Sequence, residues 1–227
     1  MSANPIYDEN GNFLGTDDRG LQGEAIIMNK NNFSQSMSYE EAKSKGTLLS
    51  NYNVELDGKG GLTEKGKYQA AVFDRVNLHS LGLKNRPDYD GFLTLSEANE
   101  WYRNGNGQPL FVDASKIDLS PVYNGDLKEG EERYVNFASP KYANFQTGLV
   151  YGTIKLKMLT GNNVQIGKND HHLDTYDFDY QEGRLGRNIA TWIGEKVAGT
   201  GEGYKIYSYG TGKLGNRPIF KSVGFNK

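Results

Sequence analysis

Residues 170–188 read DHHLDTYDFDYQEGRLGRN, and no other segment of the chain concentrates as many ionisable side chains. The segment holds two of the three histidines, four aspartates and two arginines. Crowded carboxylates raise one another's pKa, which suits a general acid or base, and their oxygens are ligands that divalent cations prefer. An arginine can bind a phosphoryl oxygen through two hydrogen bonds. These residue types predict hydrolysis of a phosphate ester or anhydride; the alternative is a turn whose aspartates cap the following helix.

The flanks of this segment indicate how it is held. Residues 148–158 alternate apolar and polar side chains, which predicts a half-buried strand, and residues 164–168 predict an antiparallel return strand. Residues 189–197 carry apolar side chains at helical spacing. Residues 204–209 (YKIYSY) predict a strand in the same sheet as the hairpin. The acidic segment is therefore predicted to be a loop between a hairpin and a helix, in an α+β domain built on a twisted antiparallel sheet with a few short helices.

The N-terminal part of the chain carries short local patterns. Residues 5–16 predict a hairpin around an Asn-Gly turn, and Thr94 begins a capping box that predicts a helix. Residues 53–61 are polar and glycine-rich, which is typical of a linker. We therefore predict an N-terminal extension or junction over residues 1–52, dispensable for the chemistry, and a catalytic domain over residues 53–227.

Composition excludes chemistry that depends on cysteine, and it weakens the case for a nuclease without excluding one. The 227 residues carry a net charge of −2, so the basic excess that is typical of nucleic-acid binders is missing. The chain contains no cysteine, which excludes disulfides, thiolate metal sites and cysteine nucleophiles. The first residues lack the pattern of a signal peptide, so export would need another carrier. His79 stands alone among residues predicted to form a loop, where a structural or exposed histidine is expected.

Residues 174–178, Asp-Thr-Tyr-Asp-Phe, resemble the Asp-x-Tyr-Asp-Phe core of the colicin M family of bacterial toxins. In that family the motif follows an antiparallel sheet and precedes a His-Arg pair, a helix and a strand. The resemblance implies a colicin M-like catalytic domain. It also implies these catalytic candidates: Asp174, Tyr176, Asp177 and Arg184.

The chain departs from this pattern at Gly183, where the family has the histidine that precedes the arginine. We therefore expect His171 or His172 to supply the imidazole. In an extended run, alternate side chains share a face, so His171 is expected on the same face as Asp177.

The resemblance implies hydrolysis of the lipid-linked peptidoglycan precursor at the undecaprenyl–pyrophosphate junction, in the periplasm of a target cell and close to its membrane surface. Asp177 would be the essential carboxylate, with Asp174 and Tyr176 positioning it, and Arg184 would hold the pyrophosphate. A Mg²⁺ or Ca²⁺ ion is suspected, held by Asp177 and Asp179. No nucleic acid is expected as a partner.

A second resemblance concerns the N-terminal part. Residues 4–8 (NPIYD), 15–18 (GTDD) and 20–23 (GLQG) resemble the junction that precedes C-terminal toxin domains in polymorphic toxins of Bacteroidetes. It implies a domain secreted within a larger effector, often by type VI secretion, and neutralised by a cognate immunity protein. Two alternatives stay open: a toxin domain with another chemistry, such as a nuclease, and a non-enzymatic domain whose acidic loop binds a cation or partner.

Overall fold

The computed structural model describes residues 4–177 and 200–218, in which the strands belong to separate sheets flanked by helices. The predicted helix at residues 189–197 lies outside the described residues, as do Asp179 and Arg184. The strands are β1 (Pro5–Tyr7), β2 (Phe13–Thr16), β3 (Ile26–Met28), β4 (Gly46–Leu48), β5 (Leu110–Asp113), β6 (Glu132–Asn136), β7 (Thr153–Met158), β8 (Asn163–Ile166), β9 (His172–Tyr176), β10 (Tyr204–Tyr209) and β11 (Gly212–Lys213). The α-helices are α1 (Tyr39–Lys45), α2 (Glu64–Gly82), α3 (Leu95–Asn104) and α4 (Phe145–Tyr151).

The first sheet has the order β2-β1-β3-β4 and is covered by α2. The predicted hairpin is confirmed, because β1 and β2 pair antiparallel around a turn in which the Asp8 carboxylate accepts hydrogen bonds from backbone N–H groups. Tyr7 of β1 lies in one buried cluster with Val72 and Val76 of α2. Residues on either side of position 52 therefore share a hydrophobic core, and the division of the chain at that position stays a prediction.

A buried carboxylate follows β2. Asp17 is 0% exposed, and its Oδ1 accepts hydrogen bonds from the backbone N–H groups of Asn4, Arg19 and Gly20 at 3.2, 2.9 and 3.3 Å. Its Oδ2 has no hydrogen-bond partner, and neither does the buried Oδ1 of Asn4. Burial raises the pKa of Asp17 to about 6, against the opposing effect of the backbone hydrogen bonds.

The second sheet has the order β5-β10-β9, and the third has the order β11-β8-β7-β6. β10 pairs parallel with β5 and antiparallel with β9. The largest hydrophobic cluster contains side chains from both of these sheets and from α3 and α4, among them Leu110, Ile206, Ile154, Ala98 and Val150. This cluster joins the second and third sheets into one core.

The predicted hairpin before the acidic segment is confirmed in part. β7 and β8 pair antiparallel, as expected. The prediction of a strand from residue 148 is wrong, because residues 148–151 belong to α4. Asn144 caps that helix by accepting a hydrogen bond from the N–H of Thr147, and Gly152 ends it at φ 63°. A methyl group on Gly148 would lie 2.7 Å from the carbonyl oxygen of Phe137, so close packing favours glycine there.

Two further expectations are corrected. Residues 204–209 form a strand as predicted, but β10 lies in the second sheet whereas β7 and β8 lie in the third. Residues 172–176 were expected in a loop and instead form β9 against β10.

The α+β class is confirmed, built from several sheets, two of which contain a parallel pair. The capping box at Thr94 begins α3 as predicted. Among residues 4–177 and 200–218, no helix has the length and apolar character needed to cross a bilayer.

Candidate functional site

Asp174–Tyr176 of the motif lie on β9. A β-bulge in that strand determines which side chains share a face. Asp174 pairs with Ile206, whereas His172 pairs with Tyr207, so Leu173 is an extra residue without a partner in the register. As a result, His172 and Thr175 lie on the same face, with His172 Nε2 3.3 Å from Thr175 Oγ1. Leu173 and Tyr176 are both buried in the core on the other side.

Tyr176 is a core residue whose hydroxyl has a defined partner. Its ring stacks on Tyr204 with the centroids 5.2 Å apart, and its hydroxyl donates to Asn99 Oδ1 at 2.6 Å. Burial raises the pKa of this phenol far above its usual value, so it is un-ionised at neutral pH. Tyr176 therefore fixes β9 to α3, which carries Asn99.

The two carboxylates of the motif have different surroundings. Asp174 is half-buried, and a methyl group on Gly152, at the C-terminal end of α4, would lie 3.6 Å from its Oδ2. Asp177 follows the strand, where a methyl group on Gly203 would lie 3.3 Å from its Cβ. Asp174 therefore lies toward α4, and Asp177 lies where β10 begins.

His171 does not fit the extended run on which its predicted pairing with Asp177 rested. Its φ is 61°, and the bulge at Leu173 then shifts the alternation of the strand. Its Nδ1 lies 3.5 Å from Ser208 Oγ, and its carbonyl accepts a hydrogen bond from the N–H of Ser208. The regular extended run on which this pairing was conditional is therefore not formed, and the pairing of His171 with Asp177 itself stays a prediction.

His172 has the more open setting of the two histidines. Its ring centroid is 5.5 Å from that of Tyr207, on the face that also carries Thr175. Burial lowers its pKa, and the nearby cations Lys168 and Lys205 lower it further, whereas Asp170 opposes them. Burial also lowers the pKa of His171. Both imidazoles are therefore mainly neutral at pH 7, the form in which a histidine can accept a proton.

An open groove of about 280 Å³ lies in the second sheet, near the start of β10. We call it the β9–β10 groove. Gly203 belongs to its lining, so the groove begins next to Asp177. Sequence reasoning missed Lys205 and Tyr207 as site residues. The signal was present in YKIYSY, where these two alternate with the buried Tyr204 and Ile206 and so face away from the core. The lining residues are Gly107, Pro109, Thr175, Gly203, Tyr204, Lys205 and Tyr207.

The other predicted site residues include two that the structure does not describe. Arg184 and Asp179 lie outside the described residues, so their predicted roles stay predictions. Within residues 4–177 and 200–218, no three acidic or histidine side chains come together as a ready metal site. His79 was expected in a loop and instead lies in α2, with its Nδ1 2.9 Å from the Tyr7 hydroxyl and its ring 5.2 Å from that of Phe13.

The described geometry thus gathers part of the predicted site. His172 and Thr175 share the groove face, Asp177 lies at its end, and Tyr176 is turned into the core. Comparison with known proteins adds no further constraint on the chemistry. No protein-family model, curated protein or solved structure matches the chain, so the likeness to the colicin M family rests on the motif at residues 174–178.

Proposed function

We propose that this chain is an antibacterial toxin domain that hydrolyses the lipid-linked peptidoglycan precursor at the undecaprenyl–pyrophosphate junction and so blocks cell-wall synthesis. The observation that carries the proposal is that Asp174–Tyr176 of the Asp-x-Tyr-Asp-Phe motif lie on β9, with Asp177 beside the β9–β10 groove. A site for a phosphate anhydride needs a carboxylate, a proton acceptor and cations near one open surface. Asp177, His172 and Lys205 supply these three kinds of group.

In the proposed mechanism Asp177 is the essential carboxylate and His172 transfers protons. A neutral imidazole can take a proton from the attacking water and return it to the leaving oxygen. The lowered pKa of His172 keeps it in this neutral form. Tyr176 acts as a positioning residue, because its hydroxyl donates a hydrogen bond to Asn99 inside the core. Asp174 is the second proposed positioning residue.

A divalent cation fits this proposal. Mg²⁺ is commonly bound by one or two carboxylates together with substrate phosphates, so Asp177 and Asp179 could hold Mg²⁺ or Ca²⁺ without a ready-made cage of protein ligands. When bound, such an ion would neutralise charge on the phosphate oxygens. Arg184 is proposed to hold the pyrophosphate bidentately.

The proposed biological setting is a domain delivered within a larger secreted effector, for example by type VI secretion. It would act in the periplasm of the target cell at the membrane surface, and a cognate immunity protein would neutralise it. Expression with and without an export signal tests this setting. Toxicity that depends on export supports it, whereas toxicity from the cytoplasm would favour a nuclease.

The direct test of the chemistry is an assay of purified protein on lipid-linked precursor, with Mg²⁺ and with a chelator. Release of the pyrophosphate-bearing product is expected from the wild type and not from Asp177→Asn. His171→Ala and His172→Ala separate the two imidazoles, and His172→Ala is expected to be the more damaging. If both histidine variants keep full activity while Asp177→Asn has none, a carboxylate-activated or metal-activated water is the better mechanism. If Asp177→Asn is fully active, the likeness to the colicin M family should be abandoned.

A further inference from the structure

The β9–β10 groove combines an aromatic wall with exposed cations, and the wall is held rigidly. The Tyr207 ring stacks on Phe111 with the centroids 5.8 Å apart and the planes 17° apart. Phe111 in turn meets the ring of Phe13 edge-on at 5.4 Å. Tyr207 is thus supported from behind by the N-terminal sheet. Pro109 adds a second apolar ring to the lining. Flat apolar surfaces of this kind pack against the C–H faces of a sugar ring.

Two residues that line the groove are glycines, and other side chains lie against them, Glu202 against Gly107 and Asp177 against Gly203. Gly107 and Gly203 carry no side chain, and Gly107 has φ 67°, a conformation that glycine adopts readily. The volume of about 280 Å³ is at the low end of the roughly 300–1,000 Å³ that is typical of ligand pockets. The groove therefore suits a single ring with one charged substituent.

Charged groups of both signs border the groove: Lys205 belongs to its lining, and the Asp177 side chain lies beside Gly203. Lys168 and Lys205 are both exposed; Lys205 pairs with Thr175 between β10 and β9, and the backbone N–H of Lys168 donates to the His172 carbonyl at 2.9 Å. The Thr175 hydroxyl adds a hydrogen-bond donor beside His172. Opposing charges are also present, Asp170 near His172 and Glu202 beside Gly107.

We propose that the β9–β10 groove binds a phosphosugar, with the sugar ring against Tyr207 and Pro109 and the phosphate toward Lys205, Thr175 and His172. The choice of a sugar phosphate rests on the proposed function, in which the pyrophosphate released by hydrolysis carries a sugar. Binding itself does not require turnover. A nucleic acid is a poorer candidate, because the chain carries a net charge of −2 and the groove has room for one ring.

The test is a titration of the full chain with N-acetylglucosamine 1-phosphate, N-acetylglucosamine and inorganic phosphate, followed by calorimetry or by amide shifts. The sugar phosphate is expected to bind at least tenfold more tightly than either fragment. Lys205→Ala and Tyr207→Leu should each weaken its binding at least fivefold. Lys205→Arg, which keeps the charge, should retain most of it. Lys59→Ala removes the same charge from an exposed residue of the 53–61 segment and should change nothing.

Two results would overturn the inference. One is equal binding of phosphate and sugar phosphate that Lys205→Ala leaves unchanged, which would mean an adventitious ion only. The other is unchanged binding of the sugar phosphate in Tyr207→Leu and Thr175→Val, each shown to be folded by its melting temperature. The proposed hydrolysis fails separately. If the sugar phosphate binds as expected but the lipid-linked precursor is not cleaved, the groove assignment stands and the reaction falls.

Discussion

Replacing the buried Asp17 by asparagine should stabilise the protein at pH 8 and change how its stability depends on pH. Three backbone N–H groups donate hydrogen bonds to Asp17 Oδ1. The side-chain carbonyl oxygen of the asparagine can accept the same three hydrogen bonds. Its amide nitrogen replaces Oδ2, which has no hydrogen-bond partner among residues 4–177 and 200–218. The substitution therefore removes a buried charge and keeps an acceptor for the three N–H groups.

The expected size follows from the raised pKa. Burial raises the pKa of Asp17 from 3.8 to about 6 in the folded state, so the folded protein binds this proton more tightly than the unfolded chain does. Its contribution to stability is therefore fully present below pH 4 and is lost as the pH rises through 6. At about 1.36 kcal/mol per pKa unit, the loss between pH 4 and pH 8 is about 3 kcal/mol.

Histidines oppose this trend in the same range. Burial lowers the pKa values of His79, His171 and His172, so these groups favour folding as the pH rises through their pKa values. The wild-type profile is therefore a sum of opposite slopes. The difference between Asp17→Asn and wild type isolates the aspartate, because the histidines are common to both proteins.

The measurement is urea unfolding at pH 5, 6, 7 and 8, with the free energy of unfolding obtained by linear extrapolation. The free energy of unfolding of the variant should rise relative to that of the wild type by about 1.3 kcal/mol between pH 5 and pH 7, and the difference should level off above pH 7. Asp74→Asn is the matched control: it removes the same charge from an exposed residue of α2 and should keep the wild-type profile. Parallel profiles for Asp17→Asn and wild type would refute the reasoning.

Three further predictions concern the site and its support. Asp177→Asn should lower the turnover of the lipid-linked precursor at least 100-fold, and His172→Ala by roughly 100- to 10,000-fold, with melting temperatures nearly unchanged, as steady-state kinetics and calorimetry would check. Tyr176→Phe leaves Asn99 without its 2.6 Å donor and should cost about 1–3 kcal/mol in urea unfolding, whereas a direct catalytic role would leave stability intact and reduce turnover instead. Deleting residues 1–52 should lower the melting temperature of the remainder, because α2 and the groove wall lose apolar partners; an intact melting transition with full activity would support a dispensable extension.

Local sequence patterns predicted the elements whose determinants lie within a few residues of each other. The capping box at Thr94, the β1–β2 hairpin and the β7–β8 hairpin all depend on neighbouring side chains and turns. Residues 148–151 were misread because their apolar spacing also suits a strand. The helix is selected by the Asn144 cap and by the contact between Gly148 and Phe137, which depends on tertiary packing.

The candidate site was harder to predict than the elements around it. The motif identified β9, but nothing local marks Leu173 as a bulge, since the bulge arises from the register between β9 and β10. That one residue decides that His172 rather than His171 shares a face with Thr175. Lys205 lies opposite Thr175 because β10 pairs with β9. These two residues come from separate segments of the chain. A reading of local patterns has no access to such register.

The parallel pairing of β5 with β10 has a consequence for when the site can form. Leu110 pairs with Ile206, roughly a hundred residues later, and such distant pairings make folding slow because a long chain must close first. A ribosome adding about 5–20 residues per second needs several seconds to extend the chain from one partner to the other. During that interval the first sheet and α2 can already fold, whereas β9 has no β10 to pair with. The groove can therefore form only after β10 has emerged from the ribosome. A chain that ends before β10 has no assembled site.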